Sequence, residues 1–338
     1  MAQRPRNRKP DPSIVLTITE NDIRIFQFLQ DHPGADQHLI AEALGYKKTV
    51  IAHDDGRKEV RYQYLLKRLT KLRDADYVWW PKLSTEHANH RYRRACYANR
   101  PKAEDELRKP KWNVWRPSPG LSNSFAHDYG SAYVPASFRI GIKAHTDLRY
   151  LDWLDDLLAH DKCPAVTKKA AEPFAIPVGI DDEGRTITKQ HDGRPWGMAL
   201  LKPDGTERKI WFFLEFHRGT EPNGAGDYKR ASAEKHVYHT LKLLADDCAM
   251  YRQRFGTRFY VIFACITRND AEKIKKYILK HTGGVGHPRI LITTVKDFMG
   301  YEDLPPATGT MLTRSYERAG FAPLDLLEFI GAKEKRAA

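Results

Sequence analysis

One stretch constrains this chain more than any other: Trp211-Phe212-Phe213-Leu214-Glu215-Phe216, five large apolar side chains and a single carboxylate. It reads as a very apolar strand. An acid inside such a strand is costly to bury unless a metal, a cation or a proton compensates it. Just upstream stands Lys202-Pro203-Asp204-Gly205. A hairpin here would bring Asp204 and Glu215 around one Mg²⁺ or Mn²⁺, a hard cation with open positions suited to work on a phosphate. A plainer reading stands beside it. Pro-Asp-Gly is an ordinary turn, and Glu215 pairs with Arg218 or with a lysine of a neighbouring helix.

The surrounding pattern is that of a mixed α/β fold. Strands are expected at 174–178, 197–201 and 209–216, and a long helix at 227–255. Phe259-Tyr260-Val261-Ile262-Phe263-Ala264-Cys265-Ile266 is apolar on both faces, as a buried strand is. A helix at 268–281 and a strand at 289–295 complete a right-handed parallel crossover. Leu148, Leu151, Leu154, Leu157 and Leu158 place an amphipathic helix at 146–160. Residues 122–144 are ambiguous because Pro135 interrupts a helical pattern, and the last 40 residues read as weakly structured apart from an apolar piece at 324–330.

The first third has a different character. Residues 1–116 hold 24 Lys and Arg against 15 Asp and Glu, nine of the chain's net charge of +13. Residues 1–13 form a basic arm with no apolar anchor. Thr19 opens a helix with Asp22 in its first turn, Asp36 opens a second and Gly45 closes it. Residues 46–58 read as a polar loop, and a third helix runs over 59–75. Two strand-like pieces, 77–80 and 91–97, flank a polar turn that holds His87 and His90. Three helices and a hairpin describe a winged helix-turn-helix whose third helix enters the major groove. Its expected DNA contacts are Arg57, Lys58, Arg61, Lys67, Arg68, Lys71, Arg91, Arg93 and Arg94, with His87 and His90 near the backbone. Double-stranded DNA is the partner this charge distribution suits. Prolines at 101, 110, 117 and 119 mark a linker over 101–121.

No apolar run approaches the ~20 residues that span a bilayer, which gives no membrane partner. The basic start lacks the apolar segment of a secretory signal. Cys96, Cys163, Cys248 and Cys265 are too scattered for a zinc ribbon or a disulfide framework, so a reducing cytoplasm is expected.

The order helix, strands, helix, strand, with Pro203-Asp204 and Glu215-Phe216-His217, resembles the restriction-endonuclease-like αβββαβ core. More closely, the chain resembles the replication-relaxation family of plasmids, phages and other mobile elements. The resemblance rests on Leu16-Thr17-Ile18-Thr19-Glu20-Asn21-Asp22-Ile23, on Pro203-Asp204-Gly205 and on Phe212-Phe213-Leu214-Glu215-Phe216-His217-Arg218-Gly219-Thr220-Glu221-Pro222. It implies a winged-helix domain over 14–100, a nuclease-like domain over 122–300 and an extension over 301–338. It also implies DNA binding and a role in replication or DNA relaxation. A homodimer and replication proteins are the further partners of such a factor.

One alternative is an active Mg²⁺-dependent endonuclease or nickase. In it Asp204 and Glu215 hold the metal, His217 or Lys235 handles the water, and Arg218 touches phosphate. His217 stands where such sites carry lysine, and Lys235 with Tyr238 resembles the family's helix pattern, as His127-Asp128 resembles its first helix. His236 and His239 read as surface residues. A third reading is a transcription regulator with a ligand-sensing C-terminal domain.

Overall fold

The computed structural model describes residues 10–11, 13–52, 54, 58–79, 96–121, 124–218, 232–295 and 304–332. The chain divides into two compact units, Met1–Ala136 with Tyr301–Ala307 and Ser137–Gly300 with Thr308–Ala338. Among the described residues no helix is long and apolar enough to cross a membrane.

In the first unit, α1 (Glu20–Asp31) starts where the Asp22 carboxylate accepts from the Thr19 N–H at 2.8 Å and hydroxyl at 2.7 Å. After the two-residue strand β1 (Ala35–Asp36), α2 (Gln37–Leu44) is capped by Asp36, which accepts from the Leu39 N–H at 2.9 Å. Gly45 ends it in the left-handed region. The expected polar loop is instead a hairpin, β2 (Thr49–Ala52) with β3 (Lys58–Arg61). The β-branched run Thr49-Val50-Ile51 favours extended backbone, so the third helix starts later, as α3 (Gln63–Asp74). Strands β4 (Val78–Trp79) and β5 (Cys96–Asn99) join β1 in the order β1-β5-β4. Part of the expected linker is a helix, α4 (Pro101–Arg108), with Pro at its start and Ala103 and Leu107 buried.

Helix α5 (Phe125–Ile142) passes through Pro135 without a break, and the boundary between the units falls within it. Tyr133, Val134, Ala136 and Phe138 around the proline are buried, and that packing offsets the roughly 3 kcal/mol an internal proline costs.

The second unit is built on a seven-stranded sheet. Its first strand, β6 (Leu148–Leu151), lies where a helix is expected, followed by a π-helical turn at Trp153–Leu158. Asp152 explains the change of period. Its carboxylate accepts from the Leu154 and Asp155 N–H groups at 2.8 and 3.2 Å, which starts a helical turn directly after the strand. After the short helix α6 (Ala165–Lys168), β7 (Ile176–Ile180) and β8 (Thr186–Lys189) form a separate hairpin. Strand β9 (Asp192–Leu201) is antiparallel to both β6 and β10 (Glu207–His217). Gly197 is required here, because a Cβ would sit 2.7 Å from the Ile210 carbonyl oxygen and 2.9 Å from the Trp211 ring.

Helix α7 (Ala233–Phe255) then leads to β11 (Phe259–Cys265), which is parallel to β10. Helix α8 (Arg268–His281), capped by Thr267, leads to β12 (Ile290–Thr294), parallel to β11 as the crossover pattern implies. The described C-terminal residues, 304–332, form regular elements where weak structure is expected. Past α9 (Thr310–Thr313), β13 (Ser315–Arg318) and β14 (Phe321–Asp325) extend the sheet, and α10 (Leu326–Ile330) follows. Tyr316, Leu324, Leu326 and Ile330 are buried there, an apolar set too sparse in sequence to announce two strands.

The core above the centre of the sheet is aromatic. The Phe213 ring lies 4.5 Å from Phe259, 5.4 Å from Tyr251 and 6.1 Å from Phe255, centroid to centroid. On the other face Phe212 packs against Phe138 at 5.3 Å and Trp196 at 5.8 Å. This packing fixes the direction of every second side chain of β10 and so aims Glu215.

Candidate functional site

Alternation along β10 turns Trp211, Phe213 and Glu215 toward the same face. Two residues beyond Phe213, Glu215 is 3% exposed. Its carboxylate is ringed by three side chains. The Lys189 ammonium, at the end of β8, donates to Oε2 at 2.7 Å. His191 Nδ1, just before β9, meets Oε1 in a short contact. His236 Nδ1, in the first turn of α7, lies 3.0 Å from Oε2 and 3.0 Å from Lys189 Nζ. His191 also stacks on Phe213 at 4.5 Å, and its Nε2 lies 2.6 Å from the Tyr251 hydroxyl.

Burial pushes the Glu215 carboxyl up, but the Lys189 charge and the bonds from His191 and His236 outweigh it and hold the group well below the usual carboxylate range. Burial pushes His191 down, with Glu215 opposing, so the ring stays neutral. Burial raises the Tyr251 phenol well above its ordinary value, and the nearby Glu215 charge adds to this. The proton positions follow. His191 carries its hydrogen on Nδ1 toward the carboxylate, and Tyr251 donates to the bare Nε2. His236 Nδ1 either donates to Glu215 or accepts from Lys189, according to its tautomer. The result is a closed network, Tyr251–His191–Glu215–Lys189, that ties β8, β9, β10 and α7 together with its charges balanced.

Asp204 is elsewhere. It sits exposed in the turn between β9 and β10, where its Oδ1 accepts from the Thr206 N–H at 2.8 Å and hydroxyl at 2.7 Å and Gly205 takes φ +80°. Glu207 opens β10 and Glu215 lies near its far end. At ~3.3 Å per residue the strand puts roughly 26 Å between those two positions. Asp204 and Glu215 therefore do not share an ion, and the expected Mg²⁺ or Mn²⁺ site is corrected. A strand that runs straight out of a turn carries its far end away from that turn. Among the described residues no group of three or more His, Cys, Asp or Glu is arranged to hold a metal. The cation position on Glu215 is filled by the Lys189 ammonium.

The other expected catalytic residues lie at the end of β10 and in the first turn of α7. His217 is 6% exposed at the end of β10. Arg218 follows it, half-buried. Lys235 is half-buried in the first turn of α7, its backbone N–H donating to the Ser232 hydroxyl at 3.2 Å. The compensating cation comes from a strand, Lys189, rather than from Arg218 or a helix lysine, and His236 is a member of the network rather than a surface residue. Sequence reasoning missed Lys189, His191, His236 and Tyr251. The usable signal was the cost of Glu215 itself, which demanded a partner but did not name it.

In the first unit, α3 presents two faces. Leu65, Leu69 and Leu72 are fully buried. On the opposite side Tyr64 is 68% exposed and Lys67 and Lys71 are exposed, at i, i+3 and i+7. Arg61, at the end of β3, is also exposed. Arg68 is different. Its Nε donates to Asp22 Oδ1 at 2.7 Å, a second nitrogen reaches Oδ2, and Nη2 also donates to the Thr17 carbonyl at 2.9 Å. This guanidinium clamps α3 to the start of α1, a structural role that sequence reasoning did not assign it. Arg57, Arg91, Arg93 and Arg94 lie outside the described residues, as do His87 and His90, and only the backbone of Lys58 is described. Comparison with family models, with curated proteins and with solved structures finds no match to this chain.

Proposed function

We propose that this chain is a DNA-binding accessory protein of a mobile element, acting in replication or DNA relaxation or their control. In this reading the first unit engages duplex DNA through α3, and the α/β unit serves as a scaffold rather than a cutter. The observation that carries it is the solvent face of α3, where Tyr64, Lys67 and Lys71 stand opposite the fully buried Leu65, Leu69 and Leu72. A recognition helix needs that division: apolar packing to hold it, cations and hydrogen-bonding groups to meet phosphates and base edges.

The element order supports the same reading. Helix α1, strand β1, helices α2 and α3, then β4 and β5 in a sheet ordered β1-β5-β4 suit a winged helix with an extra hairpin before its third helix. The end of α5 and the second-unit order β6, β9, β10, α7, β11 suit a nuclease-like core. The association with mobile elements rests on the resemblance of the Leu16–Ile23, Pro203–Gly205 and Phe212–Pro222 segments. Against cutting stand the separation of Asp204 from Glu215 and the filled cation position on Glu215.

The test is a fluorescence-anisotropy titration of a labelled duplex with the full chain and with the Lys67→Glu and Lys71→Glu variants. Each lost phosphate contact should lower the slope of log K against log salt by about 1 and weaken binding across all sequences. Unchanged affinity and slope in both variants sink this assignment of α3.

A further inference from the structure

The sheet has a second charged end. At the start of β10 and β11, roughly 23 Å along β10 from Glu215 at ~3.3 Å per residue, lies a cleft of about 420 Å³. Arg208, Arg252, Arg258 and Arg289 surround it, with Tyr260 and Phe329 between them, and no carboxylate lines it. Lys209 also borders it but is held by Glu207 at 3.1 Å. A count over the second unit hides this concentration, because acids elsewhere in the unit cancel it.

The arginines have far more donors than acceptors. Arg258, Arg252 and Arg289 all turn toward one carboxylate, Asp247, the last two at 3.7 and 3.9 Å. Arg208 has no carboxylate partner among the described residues and reaches only the Ile330 carbonyl, at 3.4 Å. Each guanidinium carries five N–H donors in a fixed fork, so most of this set remains available to an anion. Two of the guanidiniums lie over rings, Arg289 over Tyr260 at 5.0 Å and Arg208 over Phe329 at 4.9 Å.

The backbone is shaped for this arrangement. Three successive non-glycine residues of α7, Asp246, Asp247 and Cys248, have φ of 50°, 54° and 63°, the left-handed region that L side chains avoid. That break sets Asp247 at the root of the three arginines. Gly256 has φ +73°, and a Cβ there would sit 2.3 Å from the Lys162 carbonyl oxygen, so only glycine lets Thr257 and Arg258 turn into the cleft.

We propose that this cleft is a phosphate site that takes the sugar–phosphate backbone of a nucleic-acid strand, with bases laid against the arginine–aromatic stacks. Guanidinium forks match phosphate oxygens, and ring-backed planes suit bases of any sequence. The proposal rests on the reading that the chain works on DNA, but uses a surface separate from α3.

The experiment is hydrogen exchange on the full wild-type chain with a short duplex, with the single strand of the same sequence, and with pyrophosphate alone. It is paired with anisotropy of the Arg252→Gln/Arg258→Gln and Arg208→Gln variants. Nucleic acid should slow exchange at the start of β11 and the end of α7. The double variant should lose about 50-fold in affinity at 0.1 M salt, with the salt slope lower by about 2. Arg208→Gln, which leaves the Asp247 cluster intact, should lose less than 10-fold in the same direction. Absence of protection at the cleft together with unchanged affinity overturns the proposal. So does protection by pyrophosphate that neither nucleic acid reproduces, which would mark a small phosphorylated ligand. The α3 variants separate the two readings. Cleft protection that survives while Lys67→Glu and Lys71→Glu bind normally removes the α3 assignment and keeps this one, and loss of binding in those variants with no cleft protection does the reverse.

Discussion

Lys189 Nζ lies 2.7 Å from Glu215 Oε2, and both side chains are about as buried as the phenylalanines around them, at 5% and 4% exposure. Such a pair contributes modestly while intact, because two desolvations offset the attraction. Breaking it from one side is another matter. Lys189→Met leaves a buried carboxylate facing two imidazoles and should cost about 3–5 kcal/mol. Replacing both partners, Lys189→Met with Glu215→Leu, should recover most of that loss. Urea unfolding of the single and double variants reads both numbers. A single-variant cost near zero would mean that the network does not hold the unit together.

Asp204→Ala should change almost nothing. The carboxylate is exposed and serves only the Thr206 N–H and hydroxyl in its own turn. The unfolding midpoint, the affinity for DNA and the response to Mg²⁺ should match the wild-type chain. Supercoiled plasmid incubated with Mg²⁺ checks the last point. Nicking that disappears in both Asp204→Ala and Glu215→Gln would restore the shared metal site that the geometry of β10 rejects.

The sequence carried much of this fold, and for identifiable reasons. Phe259–Cys265 has no polar position, so it had to be a central strand, and Arg268–His281 had caps and a clean apolar stripe. The failures share a cause. Leu148, Leu151, Leu154, Leu157 and Leu158 suit a helix, yet Leu148 and Leu151 belong to a strand paired with β9, a contact some 50 positions away in sequence. Glu215 announced a need for compensation, but Lys189 and His236 are brought to it by a hairpin and a helix that only the packed sheet defines. Arg68 looked like its neighbours Lys67 and Lys71 because periodicity reports a face, while its actual partner Asp22 is 46 residues distant.

That difference gives a separable pair of effects on α3. Arg68→Ala should destabilise the first unit by about 2–3 kcal/mol, because Asp22 is 1% exposed and loses its charged partner. Its affinity for DNA, measured well below the unfolding temperature, should fall less than in Lys67→Glu. Lys67→Glu should do the opposite, leaving the thermal midpoint within a degree or two and weakening DNA binding. If Arg68→Ala cut affinity as steeply as Lys67→Glu without lowering stability, Arg68 would belong at the DNA after all.

Acid should loosen the second unit in two stages. Burial, then the charges of Lys189, Lys235, Lys242 and the neighbouring His236, lower His239 to about 4. Burial likewise lowers His191. Below an unfolded value of about 6.5 the unfolded chain takes up protons that these folded imidazoles refuse. Stability therefore falls as pH drops from about 6.5 toward 4 and gains nothing above that window. Glu215 adds the second stage. Its folded carboxyl titrates well below its ordinary value, so the stability it contributes is fully present above about 4.5 and is lost as pH falls further. Thermal midpoints taken from pH 7.5 to 3.5 should decline throughout that acid range. His239→Gln should flatten the upper part of the decline and leave the lower part in place. A midpoint that rises between pH 6.5 and 4.5 would show that these imidazoles are protonated in the folded protein, and the proton assignments of the Glu215 network would fall with it.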